Sequence, residues 1–274
     1  MHFRKPITLI GLSLAVLFSV VLPSSANAES DTENTQNIIR SVPNKITSYV
    51  QLKNTIKSVV ETESYKNLSE EQKKLIINDI KNNASPSVYK TLNEKFTKTL
   101  RECKNGFSSD TGNDVQVLNV DDGAQIVVST QDVAENQNDN AMITPLNMPE
   151  MYNVTKEYGA RKYVIHAAYN IQGAGLLDER LTMHYSLGSY GIKMRSSSIA
   201  GSYVFGGNMD ATSHVTDSVA THEGANVNAY ADFKISFLFS LGGTRFDRIH
   251  GAVKLYKWYK SSKKMQLRES WYSE

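Results

Sequence analysis

Apolar residues recur every three or four positions through the first part of the chain and every second position through most of the rest. Between residues 31 and 106 the spacing is helical. Val42, Ile46, Tyr49, Val50, Ile56, Val59 and Val60 form one predicted stripe. Ser69 with Gln72 three positions on is a capping box, each side chain meeting the other's backbone N–H. Asn82 and Asn83 end that helix, and Ser85-Pro86 opens the next, with proline at the first helical position. Val88, Leu92, Phe96, Leu100 and Cys103 line its apolar face up to a stop at Gly106. Three amphipathic helices are therefore expected.

From Asp114 the period falls to two. The stretch 115–129 reads as a hairpin turning at Asp122-Gly123, a dipeptide suited to positive φ. Residues 134–158 are polar or proline-containing and read as a linker. Beyond them, Tyr163, Ile165, Ala167, Tyr169 and Ile171 alternate with polar residues, as do Leu181, Met183, Tyr185 and Leu187. Tyr190, Ile192 and Met194 continue on even positions, a change of phase that a bulge near Gly188 and Gly191 would explain. The longest alternation sets Val227, Ala229, Ala231, Phe233, Ile235, Phe237 and Phe239 against Asn226, Asn228, Tyr230, Asp232, Lys234 and Ser236.

Helices followed by strands define an α+β chain: N-terminal amphipathic helices, then an antiparallel β-sandwich or open barrel. The expected divisions are a signal peptide over 1–28, a helical region over 29–106, a β-hairpin over 107–133, the linker over 134–158 and a β domain over 159–274.

Composition then sets the compartment. Arg4 and Lys5 precede an uncharged, mostly apolar stretch from Ile7 to Leu22, and Ala26-Asn27-Ala28 supplies a small-x-small cleavage site. Cleavage is expected between Ala28 and Glu29, giving a secreted, extracellular protein. It removes two of the 30 Lys and Arg residues and leaves the 28 acidic residues balanced. A neutral mature chain has no net field to attract nucleic acid. The single cysteine, Cys103, excludes an intramolecular disulfide, so burial must hold the fold. Exported, cysteine-poor and rich in Asn, Ser and Lys, the chain fits a Gram-positive bacterial source.

Candidate chemistry is sparse. His222-Glu223 lacks the second histidine of a zincin helix, since position 226 is Asn, so His222 reads as a turn residue before a strand. No Gly-x-Ser-x-Gly elbow, Walker sequence, calcium loop or cysteine pair is present, and no catalytic residue or organic cofactor is assigned. If the strands around Gly175 pair symmetrically about it, His166 faces His184 on the polar side, close enough to share a metal ion. Glu223, His214 or Asp217 would have to complete such a site. Near the C-terminus, Tyr256, Trp258, Lys260, Lys263 and Lys264 interleave aromatic rings with ammonium groups, a pattern suited to a polyanion or glycan. Residues 186–236 are dense in Ser, Thr, Gly and Asn in alternation with modest apolar residues, as in strands that cross a bilayer.

Three functional classes follow. The first is a non-enzymatic exported protein binding a cell-wall polymer, glycan or membrane surface through its β domain. The second is a secreted pore-forming or antimicrobial protein, and the third a metal-dependent hydrolase on His166 and His184. If the helical region is a removable pro-segment, cleavage is expected between about residues 134 and 158, where an exposed linker concentrates proteolysis.

Overall fold

The computed structural model describes residues 25–102, 107–109, 114–135, 155–203, 207–237 and 244–274. The apolar stretch Ile7 to Leu22, Cys103 and most of the expected 134–158 linker lie outside the described residues. The helical elements are α1 (Ser25–Ser41), α2 (Tyr49–Val60), α3 (Glu63–Lys66), α4 (Glu70–Asn82) and α5 (Pro86–Glu102). The expected cleavage point between Ala28 and Glu29 falls within α1. Ser69 and Gln72 make the reciprocal capping box at α4, and Pro86 begins α5. One assignment in the apolar stripe is corrected: Val50 is 61 % exposed, and Leu52 takes its place beside Tyr49, Ile56 and Val59. A residue one step after Tyr49 points about 100° away on a helix, so apolar character alone does not place Val50 inside.

The strands are β1 (Phe107–Ser109), β2 (Asp114–Asp121), β3 (Ala124–Ala134), β4 (Thr155–Glu157), β5 (Gly159–Ile171) and β6 (Ala174–Gly188). They continue as β7 (Gly191–Tyr203), β8 (Gly207–Asp217), β9 (Val219–Ala220), β10 (Asn226–Phe237), β11 (Thr244–Tyr259) and β12 (Lys264–Ser273). Two antiparallel sheets result. The front sheet runs β1-β12-β11-β10-β8, with β4 also on β12; the back sheet runs β2-β3-β5-β6-β7-β9. Helices first and a sandwich-like pair of sheets after them is the architecture.

The expected alternations become inward faces. Tyr163, Ile165, Leu181, Met183 and Tyr185 of the back sheet oppose Val253, Leu267 and Phe233 of the front, all but fully buried. Gly251 of β11 marks a close approach of the two sheets. A Cβ there would come within 2.6 Å of the Met183 sulfur and 2.7 Å of Ile165 Cδ1. The helices extend the same core, with Phe96 of α5 meeting Tyr169 edge-on at 5.4 Å between ring centroids. Asp121 at the β2–β3 turn fastens this layer, receiving the Lys53 ammonium at 3.1 Å, that of Lys95 at 3.3 Å and the Tyr49 hydroxyl at 3.1 Å. Burial pushes the Asp121 carboxyl up, but the two cations and the hydroxyl outweigh it and hold it below its ordinary value.

One further expectation needs adjustment. The phase change after β6 comes from a tight turn at Ser189-Tyr190, with Gly188 paired to Gly191. The bulge lies farther on, at Arg195, where His184 pairs with Ser196 but Tyr185 with Met194. Tyr190 itself is 48 % exposed. The 115–129 hairpin belongs to the back sheet, because β3 pairs with β5 from Ala124↔Ile171 to Ala134↔Arg161. A protein nicked between residues 136 and 154 should therefore stay one particle on size-exclusion chromatography and come apart only in denaturant. Spontaneous release of the N-terminal fragment would contradict this pairing.

Candidate functional site

The β5–β6 turn decides the fate of the proposed metal pair. Gln172 and Gly173 both adopt positive φ, 50° and 81°, making a two-residue reversal with Ile171 opposite Ala174. That turn, rather than Gly175, centres the hairpin. Leu176, the extra residue between the pairs Asn170↔Gly175 and Tyr169↔Leu177, then shifts the register by one, so that His166 faces Arg180 and His184 faces Lys162. The two imidazoles are not neighbours, which corrects the predicted pairing. His166 Nε2 lies 3.6 Å from Asp178, while His184 contacts Glu135 and Ser198, both at 3.1 Å. His214 and Asp217 lie on β8 of the other sheet. No group of three or more His, Cys, Asp or Glu able to hold a metal occurs among the described residues.

His166 does border a cleft of about 640 Å³ between α2–α4 and the β5–β6 hairpin, with Lys66, Lys73 and Lys74 along its wall. Inside it the Ser202 hydroxyl donates to Asp178. Burial raises the Asp178 carboxyl, but His166 and Ser202 pull it below its ordinary value. The order of groups is wrong for acyl transfer. The carboxylate stands between hydroxyl and imidazole, whereas activating a serine needs the imidazole in the middle.

The turn reading of His222 holds. His222-Glu223-Gly224 precedes β10, with Gly224 at φ 91°. Glu223 has a structural task there: its carboxylate accepts the Trp258 backbone N–H at 2.8 Å.

The β11–β12 hairpin gathers the predicted C-terminal patch at one end of the front sheet. A bulge at Tyr256, between the pairs Leu255↔Leu267 and Lys257↔Gln266, turns that ring outward, 40 % exposed. Arg268 lies 4.9 Å from the Tyr256 ring centroid, and Lys260 lies 4.4 Å from that of Trp258. Trp258 is half-buried and anchored, its indole N–H donating to the Tyr158 hydroxyl at 2.7 Å. Lys263 occupies the turn at φ 54°, and Lys264 pairs with Glu157 at 3.6 Å. Lys254, Lys257, Lys260 and Lys263 are exposed. Six cations and three aromatic rings are thus gathered at this end of the hairpin, counting Tyr259 at 41 % exposure, with Trp258 on the side of its register partner Met265.

The outer face of the same sheet carries a feature that the sequence reading missed. His214, Tyr230, His250 and Tyr272 form a row across β8, β10, β11 and β12, with centroids 5.0, 5.6 and 4.2 Å apart. His250 and Tyr272 stack at an interplanar angle of 6°. Burial pushes the His250 imidazole below its ordinary value, against the opposing pull of Glu274 3.4 Å away. Stacked rings spend their faces on one another, so this row offers edges to solvent. Lone polar-face aromatics in β10 and β12 were the available signal, but only the register aligns them.

Comparison of the chain with protein-family models, with curated proteins and with solved structures returned no match.

Proposed function

We propose that this is an exported, non-enzymatic protein that binds an anionic polymer of the bacterial cell surface through its β domain. The observation that carries the reading is the basic, aromatic end of the β11–β12 hairpin. Lys254, Lys257, Lys260, Lys263, Lys264 and Arg268 lie there, in a mature chain whose basic and acidic residues are equal in number overall. Export supplies the setting, through the n-region and cleavage motif of residues 1–28. Clustered ammonium groups raise the local concentration of an anionic chain, and the Tyr256, Trp258 and Tyr259 rings add contact area for sugars or lipid headgroups. The Ser–Asp–His order in the cleft supports the non-enzymatic side of the reading.

The test is sedimentation of the intact protein with isolated Gram-positive cell walls, before and after the anionic polymer is stripped from them. Changing Lys257, Lys260 and Lys263 to Gln removes exposed charges and leaves Trp258 and its Tyr158 bond in place. At ~0.5–1 kcal/mol per exposed ionic contact, affinity should fall about tenfold or more, and salt should mimic the change. Equal binding by the folded triple variant, or by stripped walls, would reject the proposal.

A further inference from the structure

Strands β7 and β8 are the least packed part of the two sheets. From Arg195 to Val219, no residue whose burial is described is buried. Consecutive in the chain and side by side, they still do not share a ladder. β7 pairs with β6, and β8 pairs with β10. Below them a stem is already closed: β7 pairs with β9 through Ile192↔Ala220 and Lys193↔Val219, and the Met194 N–H donates to the Ser218 carbonyl at 2.8 Å. Above it, among the described residues, the two strands meet through side chains. The Ser197 hydroxyl donates to that of Ser213 at 3.0 Å, and the Met209 side chain lies over Gly201. Both contacts belong to one hairpin register, with 197 opposite 213 and 201 opposite 209.

The two strands also bend at the same level. Arg195 is the extra residue of β7 against β6, and Thr216 is that of β8 against β10. Bulges end regular pairing and turn a strand aside. Here they divide an anchored base, with Ile192, Met194 and Ala220 buried, from the exposed arm above.

We propose that β7 and β8 are a membrane-entering hairpin. The arm leaves its ladders with β6 and β10 at the two bulges, pairs its own two strands above the stem, and enters a bilayer as one hairpin of a β-barrel built from several copies of this chain. The sequence of the arm suits that environment. Residues 196–216 contain one charged side chain, Asp210, in a chain that is 21 % charged. Ser197, Ile199, Met209, Ala211 and Ser213 are the half-buried phase, with Ile199, Met209 and Ala211 resting on the core. Ser198, Thr212, His214 and Thr216 fill the exposed phase. The face now sheltered by protein is the one that would meet lipid, and the polar face would line a lumen. Strands of ~9–11 residues cross a bilayer when tilted, about the reach of each arm from its bulge. A single hairpin would leave its outer edges unpaired in hydrocarbon, so several copies must close the ring.

Surface binding is independent of this step. The Asn208 end of β8 lies at the Thr244 end of β11, since Ser236 pairs with both residues, and Lys260 follows the opposite end of β11.

The test uses dye-loaded vesicles of equal parts zwitterionic and anionic phospholipid, with full-length protein in a Cys103→Ser background. Asp210 and Lys234 are register partners on β8 and β10. Asp210→Cys with Lys234→Cys should form a disulfide that holds the arm down. Dye release should be lost when the pair is oxidised and return on reduction. Separately, an environment-sensitive fluorophore on single cysteines at 197, 199, 211 and 213 should shift to the blue on vesicles, and at 198, 212 and 216 it should not. Release unaffected by the disulfide would overturn the proposal, as would vesicle binding without that two-residue alternation or no release from intact and linker-nicked protein alike. Loss of cell-wall binding in the lysine variant, with dye release retained, would separate failure of the surface reading from failure of this one.

Discussion

Replacing Asp132 by Ala should destabilise the protein by about 3–5 kcal/mol, the usual cost of removing one partner from a buried charge cluster. Asp132 of β3 is 3 % exposed. Its carboxylate receives the Arg161 guanidinium at 3.0–3.2 Å, the Lys156 ammonium at 3.1 Å and the Tyr185 hydroxyl at 2.8 Å. Lys156 comes from the front sheet and the other partners from the back, so this one side chain ties the layers together. Without it, two buried cations and a phenol lose their common acceptor. Glu269, fully buried on β12, sets the lower bound. Burial first, and Asp132 second, push its carboxyl well above the ordinary value. With Asp132 gone that carboxyl can ionise and balance part of the charge. Asp132→Asn keeps an acceptor for Tyr185 and should lose less. Urea unfolding of wild type and both variants measures the difference. A loss below about 1 kcal/mol for the alanine variant would mean the cations relax to solvent instead.

The layers were legible in the sequence because burial imposes a period, and the period is local. Ser69 with Gln72, Asp122-Gly123 and the alternation from Asn226 to Ile235 each sit where the residues alone put them. Pairing was a different matter. Alternation is blind to any even shift between strands. A hairpin centred on Gly175, and the one that forms with its turn at Gln172-Gly173 and a bulge at Leu176, both keep Tyr163, Met183 and their neighbours on one face, yet the partner of His166 changes from His184 to Arg180. Gln172 at positive φ and the bulge at Leu176 together chose between them, and neither residue gives much warning of its role. The ring row was hidden for the same reason. His214 and Tyr272 stand far apart in the chain and meet only through two intervening strands. The inter-sheet charges, by contrast, left a readable mark. Asp132, Glu179, Asp247 and Glu269 all occupy the inward phase of their strands, where an apolar residue is expected. A charge in that phase is an announcement of a buried partner.

The second such cluster makes stability fall as pH rises. Arg245 and Asp247 of β11 form an ion pair at 2.5 Å, with side chains 4 % and 2 % exposed. Glu179 of β6 joins them from the opposite sheet, accepting the Tyr169 hydroxyl at 2.8 Å, and the Arg245 guanidinium lies 4.4 Å from the Tyr169 ring centroid. Two carboxyls and one guanidinium are neutral together only if the acids share a proton. Burial first, then Asp247, accordingly raises the Glu179 carboxyl well above its ordinary 4.5. The native state therefore keeps a proton that the unfolded chain releases. Its contribution is whole below the ordinary glutamate value and declines as pH climbs from there toward the raised native value, by at most about 1.4 kcal/mol per pH unit. Glu269 adds in the same direction. Arg245→Met should deepen this slope: with no cation, both acids must take up protons, and the variant should be markedly less stable at pH 8 than at pH 5. Loss at pH 8 should reach about 3–5 kcal/mol. Glu179→Gln should do the reverse, since its amide donates to Asp247 without titrating, and should flatten the slope of the wild type. Denaturant midpoints across pH 5 to 8 separate the three proteins. Parallel curves would show that the proton is not held between Glu179 and Asp247, and that the cluster is stabilised by Arg245 with both acids ionised.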